Sequence, residues 1–136
     1  MGTAALDRQM GDLVWSFYCG LRAGYSTTQV FDMLSKEAPE PARGASKIVF
    51  NGLSKSIPLE KVLEQWNQAY PSPHIAKVAE KILEHQQKGG HLADMLEPLE
   101  AEFIHESGSD PAFYEAMRRE AKDICAPLPE RAKERL

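Results

Sequence analysis

The sequence is poor in cysteine, which excludes several classes of small domain. Only two cysteines, Cys19 and Cys125, occur in 136 residues, too few for a disulfide framework or a zinc cluster. Cys19 falls within an apolar run, and disulfides are rare in reducing compartments. We therefore predict that both cysteines are buried or half-buried free thiols rather than a bridge or a metal pair.

Long apolar runs are also absent. The most apolar window, residues 13–21, is much shorter than the roughly 20 residues that a membrane helix needs. Residues 1–10 lack the basic and apolar regions of a signal peptide. We therefore expect a cytoplasmic chain with no membrane span of its own.

An excess of positive charge is the third missing feature. The net charge is −4, and Lys and Arg are interspersed with acids, so no basic stripe is available to neutralise phosphates. The sequence thus predicts no binding to nucleic acid. The apolar share of 43% and the charged share of 26% are those of an ordinary globular domain.

Helical periodicity is present from end to end, with almost no strand pattern. The predicted helices cover about residues 6–23, 27–38, 42–53, 58–70, 73–88, 92–106 and 110–125. Short loops between helices of this length favour antiparallel neighbours. We predict an all-α fold, a compact antiparallel bundle of six to seven helices, with one domain over residues 1–126 and a loose tail over 127–136.

Glycine and proline mark the helix ends. Gly24 ends the first helix at a position that favours a left-handed residue. Ser26 or Thr27 caps the second helix, and Pro58 is predicted as the first residue of the fourth. In the fifth helix, Ser72 is the predicted cap and Pro73 the first residue, and the helix ends at 89–90.

Three helix starts form a weak internal repeat. The segments 24–31, 56–63 and 90–96 each combine a small residue at a turn, a cap or proline, and a pair of apolar anchors. Val30, Val62 and Met95 lie 32 and 33 residues apart. Any helix start has a similar pattern, so similarity by chance remains an alternative, as does a tandem solenoid.

Four segments in this order also resemble a known family. They are Leu21-Arg22-Ala23-Gly24, Ser56-Ile57-Pro58-Leu59-Glu60, Tyr70-Pro71-Ser72-Pro73 and Gly89-Gly90-His91-Leu92-Ala93-Asp94-Met95-Leu96. With these segments the sequence resembles, over about residues 11–103, the F-domain of type II secretion, type IV pilus and tight-adherence pilus platform proteins, nearest the tight-adherence branch. The family-motif positions are Gly24, Ser56, Pro58, Leu59, Pro71, Pro73, Gly89, Gly90 and Leu92.

The resemblance implies a role without chemistry. Such a module is a cytoplasmic scaffold at the inner face of the cell membrane that meets the assembly ATPase and other inner-membrane platform components, and that can form a homodimer. Ser56 stands where the family tends to have glycine. Family members carry membrane helices beside this domain and this sequence has none, which leaves open an excised piece or a free-standing relative.

Candidate catalytic and metal-binding residues are few. Glu102-x-x-His105 has the spacing of half a di-iron site, but no second Glu-x-x-His occurs in the sequence. Nucleophile-elbow serines and phosphate-binding glycine loops are absent as well. We predict no catalytic residue, no metal and no cofactor. The alternatives are a helical adaptor unrelated to secretion and, less favoured, a metal-dependent helical enzyme.

Three residues are candidate partner contacts. Trp15 and Tyr18 neighbour Phe17 on the first helix, and residues at such spacing cannot all share the core-facing side. An exposed aromatic there is suited to anchoring a partner helix, while burial in the core is the competing interpretation. His91, at the start of the sixth helix, is the third candidate, on the surface or against a partner.

Overall fold

The computed structural model describes residues 3–113 and 115–117, and every regular element in that part of the chain is an α-helix. The six helices are α1 Ala4–Arg22, α2 Thr27–Glu37, α3 Ala42–Ser54, α4 Leu59–Ala69, α5 Pro73–Lys88 and α6 Leu92–Ser107. Further helical residues follow at 111–113 and 115–117. The predicted all-α bundle is confirmed. The predicted boundary at residue 126 and the tail 127–136 lie outside the described residues.

Helix α1 is the centre of the bundle. It packs against α2, α3 and α5, and most extensively against α6, while α2–α3, α3–α4, α4–α5 and α5–α6 are neighbours in sequence and in space. Every residue from 9 to 17 in α1 is buried. A helix that is buried all round its circumference must be surrounded by other elements, which is the position that the bundle gives it.

Three aromatic rings join the first, second and fourth helices in the core. Phe17 of α1 meets Phe31 of α2 edge-on, with ring centroids 5.0 Å apart, and Phe31 meets Trp66 of α4 in the same way at 5.5 Å. All three side chains are fully buried. Edge-to-face contacts place the positive ring edge against the negative face, so these contacts fix the relative placement of the three helices.

The first helix ends in the turn that its glycine predicts. Gly24 has a φ of 97°, its N–H donates to the carbonyl of Leu21 at 3.1 Å, and the N–H of Tyr25 donates to the carbonyl of Gly20 at 2.9 Å. These two bonds around a left-handed residue make a Schellman motif, which satisfies the last carbonyls of the helix.

The third helix ends in the same motif, with serine in place of glycine. Ser56 has a φ of 60°, its N–H donates to the carbonyl of Leu53 at 3.1 Å, and the N–H of Ile57 donates to the carbonyl of Gly52 at 3.1 Å. Ser56 therefore adopts the left-handed conformation that a glycine takes without strain.

The first two copies of the internal repeat therefore share one turn geometry. A Cβ on Gly20 would lie 2.8 Å from a methyl carbon of Val30, and a Cβ on Gly52 would lie 2.7 Å from one of Val62. Each copy thus combines a Schellman turn with a glycine against which the next helix packs its valine. The third copy differs, since at the end of α5 two consecutive glycines, residues 89–90, have positive φ values of 79° and 98°.

Proline placement was predicted well in α5 and was wrong by one residue in α4. Pro73 is the first residue of α5, and the Ser72 hydroxyl caps that helix by accepting from the N–H of His74 at 3.1 Å. Pro58 is the N-cap of α4, not its first residue, because its ψ of 138° is extended. Its carbonyl accepts the N–H of Val62 at 3.1 Å, the first bond of the helix.

The prediction of a free thiol was wrong for Cys19. This residue is buried, with 3% of its surface exposed, but it is disulfide-bonded. The other cysteine of the sequence, Cys125, lies outside the described residues. Disulfides depend on the spatial approach of two Cβ atoms, which distant sequence positions do not reveal.

Ser56→Gly is expected to raise the free energy of unfolding by about 0.5–1 kcal/mol. A left-handed non-glycine residue costs about 1–2 kcal/mol, and part of that gain is lost to the greater freedom of glycine in the unfolded chain. Urea unfolding followed by circular dichroism measures the change. The matched control is Lys55→Gly, where φ is −91°, and which should lose stability. If both variants lose stability, the proposed backbone strain at Ser56 is refuted.

Candidate partner-binding site

A groove lies between the turn that joins α1 to α2 and the turn that joins α5 to α6. Its volume is about 590 Å³, within the size range of pockets that bind ligands or partner side chains. The lining residues are Leu21, Arg22, Ser26, Thr27, His85, Gly90, His91, Leu92, Ala93 and Asp94. We call this surface the turn groove.

The two helices that begin at the turn groove are capped differently. At the start of α2, the Ser26 hydroxyl accepts from the N–H of Gln29 at 3.1 Å, and the Gln29 side chain accepts from the N–H of Ser26 at 2.8 Å, a complete capping box. At the start of α6, the exposed His91 is the N-cap and makes no side-chain cap hydrogen bond. The imidazole of His91 is thus not used for capping.

A strip of aromatic and charged residues leads along α1 to the groove. Trp15 and Tyr18 stack with ring centroids 5.0 Å apart, and the guanidinium carbon of Arg22 lies 5.6 Å from the centre of the Tyr18 ring. Arg22 also lies 3.8 Å from a carboxylate oxygen of Asp94, with both side chains 62% exposed. An ion pair so exposed adds little to stability, so both charges are accessible to a partner.

The phenol of Tyr18 is held in its neutral form. Its pKa is raised above the usual range by partial burial, by a hydrogen bond to Glu97 and by the negative charges of Glu97 and Asp94, and Arg22 acts in the opposite direction. Burial disfavours the phenolate, and a nearby carboxylate does the same. Tyr18 therefore keeps its hydroxyl over a wider pH range than an ordinary phenol does.

The structure separates the three candidate partner contacts. Trp15 is buried, with 6% of its surface exposed, as in the competing interpretation of this residue as part of the core. Tyr18 is half-buried and His91 is exposed. Asp94 connects Tyr18 and His91. It lines the turn groove together with His91, and its negative charge helps to raise the pKa of Tyr18. Sequence reasoning missed Arg22 and Asp94, although both stand inside the quoted family segments.

The family-motif positions lie at helix ends. Four of them have positive φ, and the others cap, begin or immediately precede a helix. They are Gly24, Ser56, Gly89 and Gly90 with positive φ, Pro58 as N-cap, Leu59, Pro73 and Leu92 as first helical residues, and Pro71 before α5. The motif therefore specifies turns, and only Gly90 and Leu92 also line the turn groove.

The histidines form no metal cluster in the part of the chain that the structure describes. His74 is buried, with its Nε2 3.1 Å from a Glu106 oxygen. Its Nδ1 lies 3.5 Å from an Asp7 oxygen but in no hydrogen-bond geometry. Glu102, of the Glu-x-x-His spacing, pairs with Lys77 at 2.6 Å, which raises the pKa of that lysine. Among the described residues no three His, Cys, Asp or Glu side chains are placed to hold a metal.

Fold and helix-end motif together define an all-α, helical-bundle domain. None of the helices in residues 3–113 has the length and apolar character that crossing a bilayer demands. A family model described as "Type II secretion system (T2SS), protein F" matches residues 16–109, well over half of the 136 residues. The chain belongs to the type II secretion system protein F family, as the resemblance predicted. No curated protein and no solved structure matches it.

Proposed function

We propose that the chain is a non-catalytic scaffold module of a secretion or pilus assembly platform, and of the tight-adherence type in particular. The observation that carries this proposal is the family match over residues 16–109. The module works at the cytoplasmic face of the cell membrane, where it binds the assembly ATPase and inner-membrane platform components. The ATPase hydrolyses nucleotide and generates the force, and the helical bundle holds the ATPase and the platform components in position.

The turn groove is the contact surface that we assign to this role. Two features support the assignment: an accessible His91 that caps no helix through its side chain, and the half-buried Tyr18 with the exposed Arg22 and Asp94 beside it. Tyrosine and arginine are enriched among residues that dominate binding energy. The mixed charges favour a partner surface that carries both signs.

The test is binding of the purified chain to the assembly ATPase and to the polytopic platform protein of its source cell. Surface-immobilised wild type is expected to bind one of them. The double variant Tyr18→Ala/His91→Ala should bind roughly tenfold more weakly, which corresponds to about 1.4 kcal/mol. The matched control is Lys47→Ala, an exposed position on α3, and it should bind like wild type.

Each contrary outcome points to a different error. If wild type binds neither protein in detergent-solubilised form, the scaffold proposal fails and an adaptor unrelated to secretion replaces it. If wild type binds and the double variant binds equally well, the role stands and the turn groove is the wrong surface.

Homodimerisation belongs to the same proposal. Sedimentation equilibrium of the pure chain over a hundredfold range of concentration measures it, and the resemblance to platform proteins leads us to expect a reversible dimer. A single monomer mass throughout that range would remove the homodimer from the proposal without affecting the ATPase contact.

A further inference from the structure

A second groove runs between α4 and α5. Its volume is about 360 Å³. On each helix the lining residues stand at positions i, i+3, i+4 and i+7. They are Glu60, Leu63, Glu64 and Asn67 of α4 and Ala76, Ala79, Glu80 and Leu83 of α5. Residues at this spacing lie along one face of a helix. The groove therefore follows both helix axes, and we call it the α4–α5 groove.

The floor of the α4–α5 groove is apolar. Leu63 and Ala79 are 2% and 8% exposed, and Leu83 is half-buried. Ala76 and Ala79 have small side chains that project little from α5. Another helix can therefore approach closely, because side-chain size sets the distance between helix axes. With a rise of about 1.5 Å per residue, the 11 residues of α4 offer a length of about three helical turns.

The rim of the α4–α5 groove is acidic and not neutralised. Glu60, Glu64 and Glu80 are exposed, and none of them makes a hydrogen bond or ion pair with another described residue. Two lysines of α5 are used elsewhere, because Lys77 pairs with Glu102 and Lys81 with Glu84. Three free carboxylates thus surround an apolar floor.

We propose that the α4–α5 groove binds an amphipathic helix of a partner protein, with an apolar stripe of about three turns flanked by Lys or Arg. The apolar stripe matches the floor, and the flanking cations match the carboxylates on both walls. An acidic amphipathic helix is repelled by the same rim, which makes the sign of the charge the selective feature. This inference goes beyond the proposed function, since it does not depend on which protein carries the helix.

The two grooves can be occupied together. His85 lines the turn groove and Leu83 lines the α4–α5 groove. A separation of two residues on a helix corresponds to a rotation of about 200°. The side chains of Leu83 and His85 therefore project from opposite sides of α5. A scaffold with two such surfaces joins two partners at once.

The experiment uses the whole isotope-labelled chain and two synthetic 14-residue peptides that share a leucine stripe. One peptide carries lysine at all positions outside the leucine stripe, and the other carries glutamate at those positions. Titration at low salt, followed by amide chemical shifts, should show that the lysine peptide moves resonances of residues 60–67 and 76–83, with affinity that falls as salt is added. The glutamate peptide should bind at least tenfold more weakly.

Two triple variants separate the rim from overall charge. Glu60→Gln/Glu64→Gln/Glu80→Gln should weaken the lysine peptide roughly tenfold. The control neutralises three exposed carboxylates outside both grooves, Glu37→Gln/Glu40→Gln/Glu106→Gln, and should change affinity less than twofold. Both sets lie on the surface, and circular dichroism verifies that the helices are retained.

Three results would overturn the inference: shifts that map to the turn groove, equal affinity for the two peptides, or equal weakening by the two triple variants. None of these bears on the proposed function, because the ATPase and platform contact is tested through Tyr18 and His91. Conversely, loss of the ATPase contact would leave the peptide titration unchanged.

Discussion

Replacing Gln9 by leucine is expected to lower the free energy of unfolding by about 2–3 kcal/mol. Gln9 lies on α1 and is 1% exposed. Its carbonyl oxygen accepts the N–H of Ala42 at 2.9 Å, and its amide nitrogen donates to the carbonyl of Glu40 at 3.2 Å and to a carboxylate oxygen of Asp110 at 3.0 Å. One side chain thus joins α1 to the start of α3 and to the turn after α6.

The reason for the large effect is the N–H of Ala42. Ala42 is the first residue of α3, and the N-cap residue Pro41 has no side chain that caps the helix. Gln9 therefore does from α1 what a cap residue does locally. A buried donor left without an acceptor costs about 1–3 kcal/mol, and the variant also removes the donor that Glu40 and Asp110 use.

Urea unfolding at pH near neutrality measures this loss, with an unchanged slope against urea as evidence that the unfolded state is the same. A change below about 0.5 kcal/mol, the usual range for unimportant surface positions, would contradict the three-way role of Gln9.

The variant Gln9→Glu is the matched comparison. It keeps the size and the acceptor for Ala42, but it replaces the amide donor with an oxygen facing the carbonyl of Glu40 and the carboxylate of Asp110. Burial and the neighbouring carboxylate both raise the pKa of the new carboxyl in the folded state. The loss in free energy of unfolding caused by Gln9→Glu is therefore complete at pH values above the raised pKa of the folded state. It declines as the pH falls from that pKa toward the pKa of the unfolded chain, near 4.3.

Unfolding measured at several pH values, each referred to wild type at the same pH, tests this sign. The difference from wild type should shrink more on acidification for Gln9→Glu than for Gln9→Leu, which loses only the donor to the Asp110 carboxylate. If both differences are flat, the amide of Gln9 is not the donor to Glu40 and Asp110.

Replacing Gly11 by alanine is expected to cost about 1–2 kcal/mol. A Cβ at this position would overlap the Cδ1 atom of Ile104 and would lie 3.3 Å from its backbone nitrogen. Gly11 is thus a point of close approach between α1 and α6. Forcing a methyl group into a packed interface costs about 1–3 kcal/mol, and the better helix propensity of alanine offsets up to about 1 kcal/mol.

The partner of the clash supplies the control. In the background Ile104→Ala the closest atoms are gone, so adding Gly11→Ala should cost little or even stabilise α1. The double-mutant cycle should give a coupling of about 1–2 kcal/mol. The same substitution at Gly44 of α3 meets only the ends of the Glu40 and Tyr70 side chains, which can move, and should be neutral or stabilising. Additive effects at Gly11 and Ile104 would refute the close approach.

Much of the fold follows from local rules that the sequence displays. Gly24 and the segment Ser72-Pro73 act within one turn of the chain, so their roles as helix stop and helix start were predicted correctly from residue type. Pro58 was misplaced by one residue because residue type points to the first helical position, whereas its extended ψ of 138° makes it the N-cap. The F-family resemblance depends on the same local turns, and the match over residues 16–109 confirms it.

The candidate site was predicted less completely, because exposure depends on what packs against a residue. Trp15 and Tyr18 are equivalent in the sequence pattern, yet the bundle buries the first and leaves the second half-exposed. The buried role of Gln9 was not predicted at all, since its partners stand 31, 33 and 101 residues away. The α4–α5 groove likewise exists only because two separate stripes are brought side by side.

The sequence by itself determined that the chain is helical, where most helices begin and end, and which family it belongs to. These properties depend on backbone conformation and hydrophobic period, which are set by residues within a few positions of one another. Tertiary structure alone decided the bond at Cys19, the three-way role of Gln9, the close contact at Gly11 and the two grooves. Each of these depends on a distance between helices, and that distance is fixed only when the whole bundle packs.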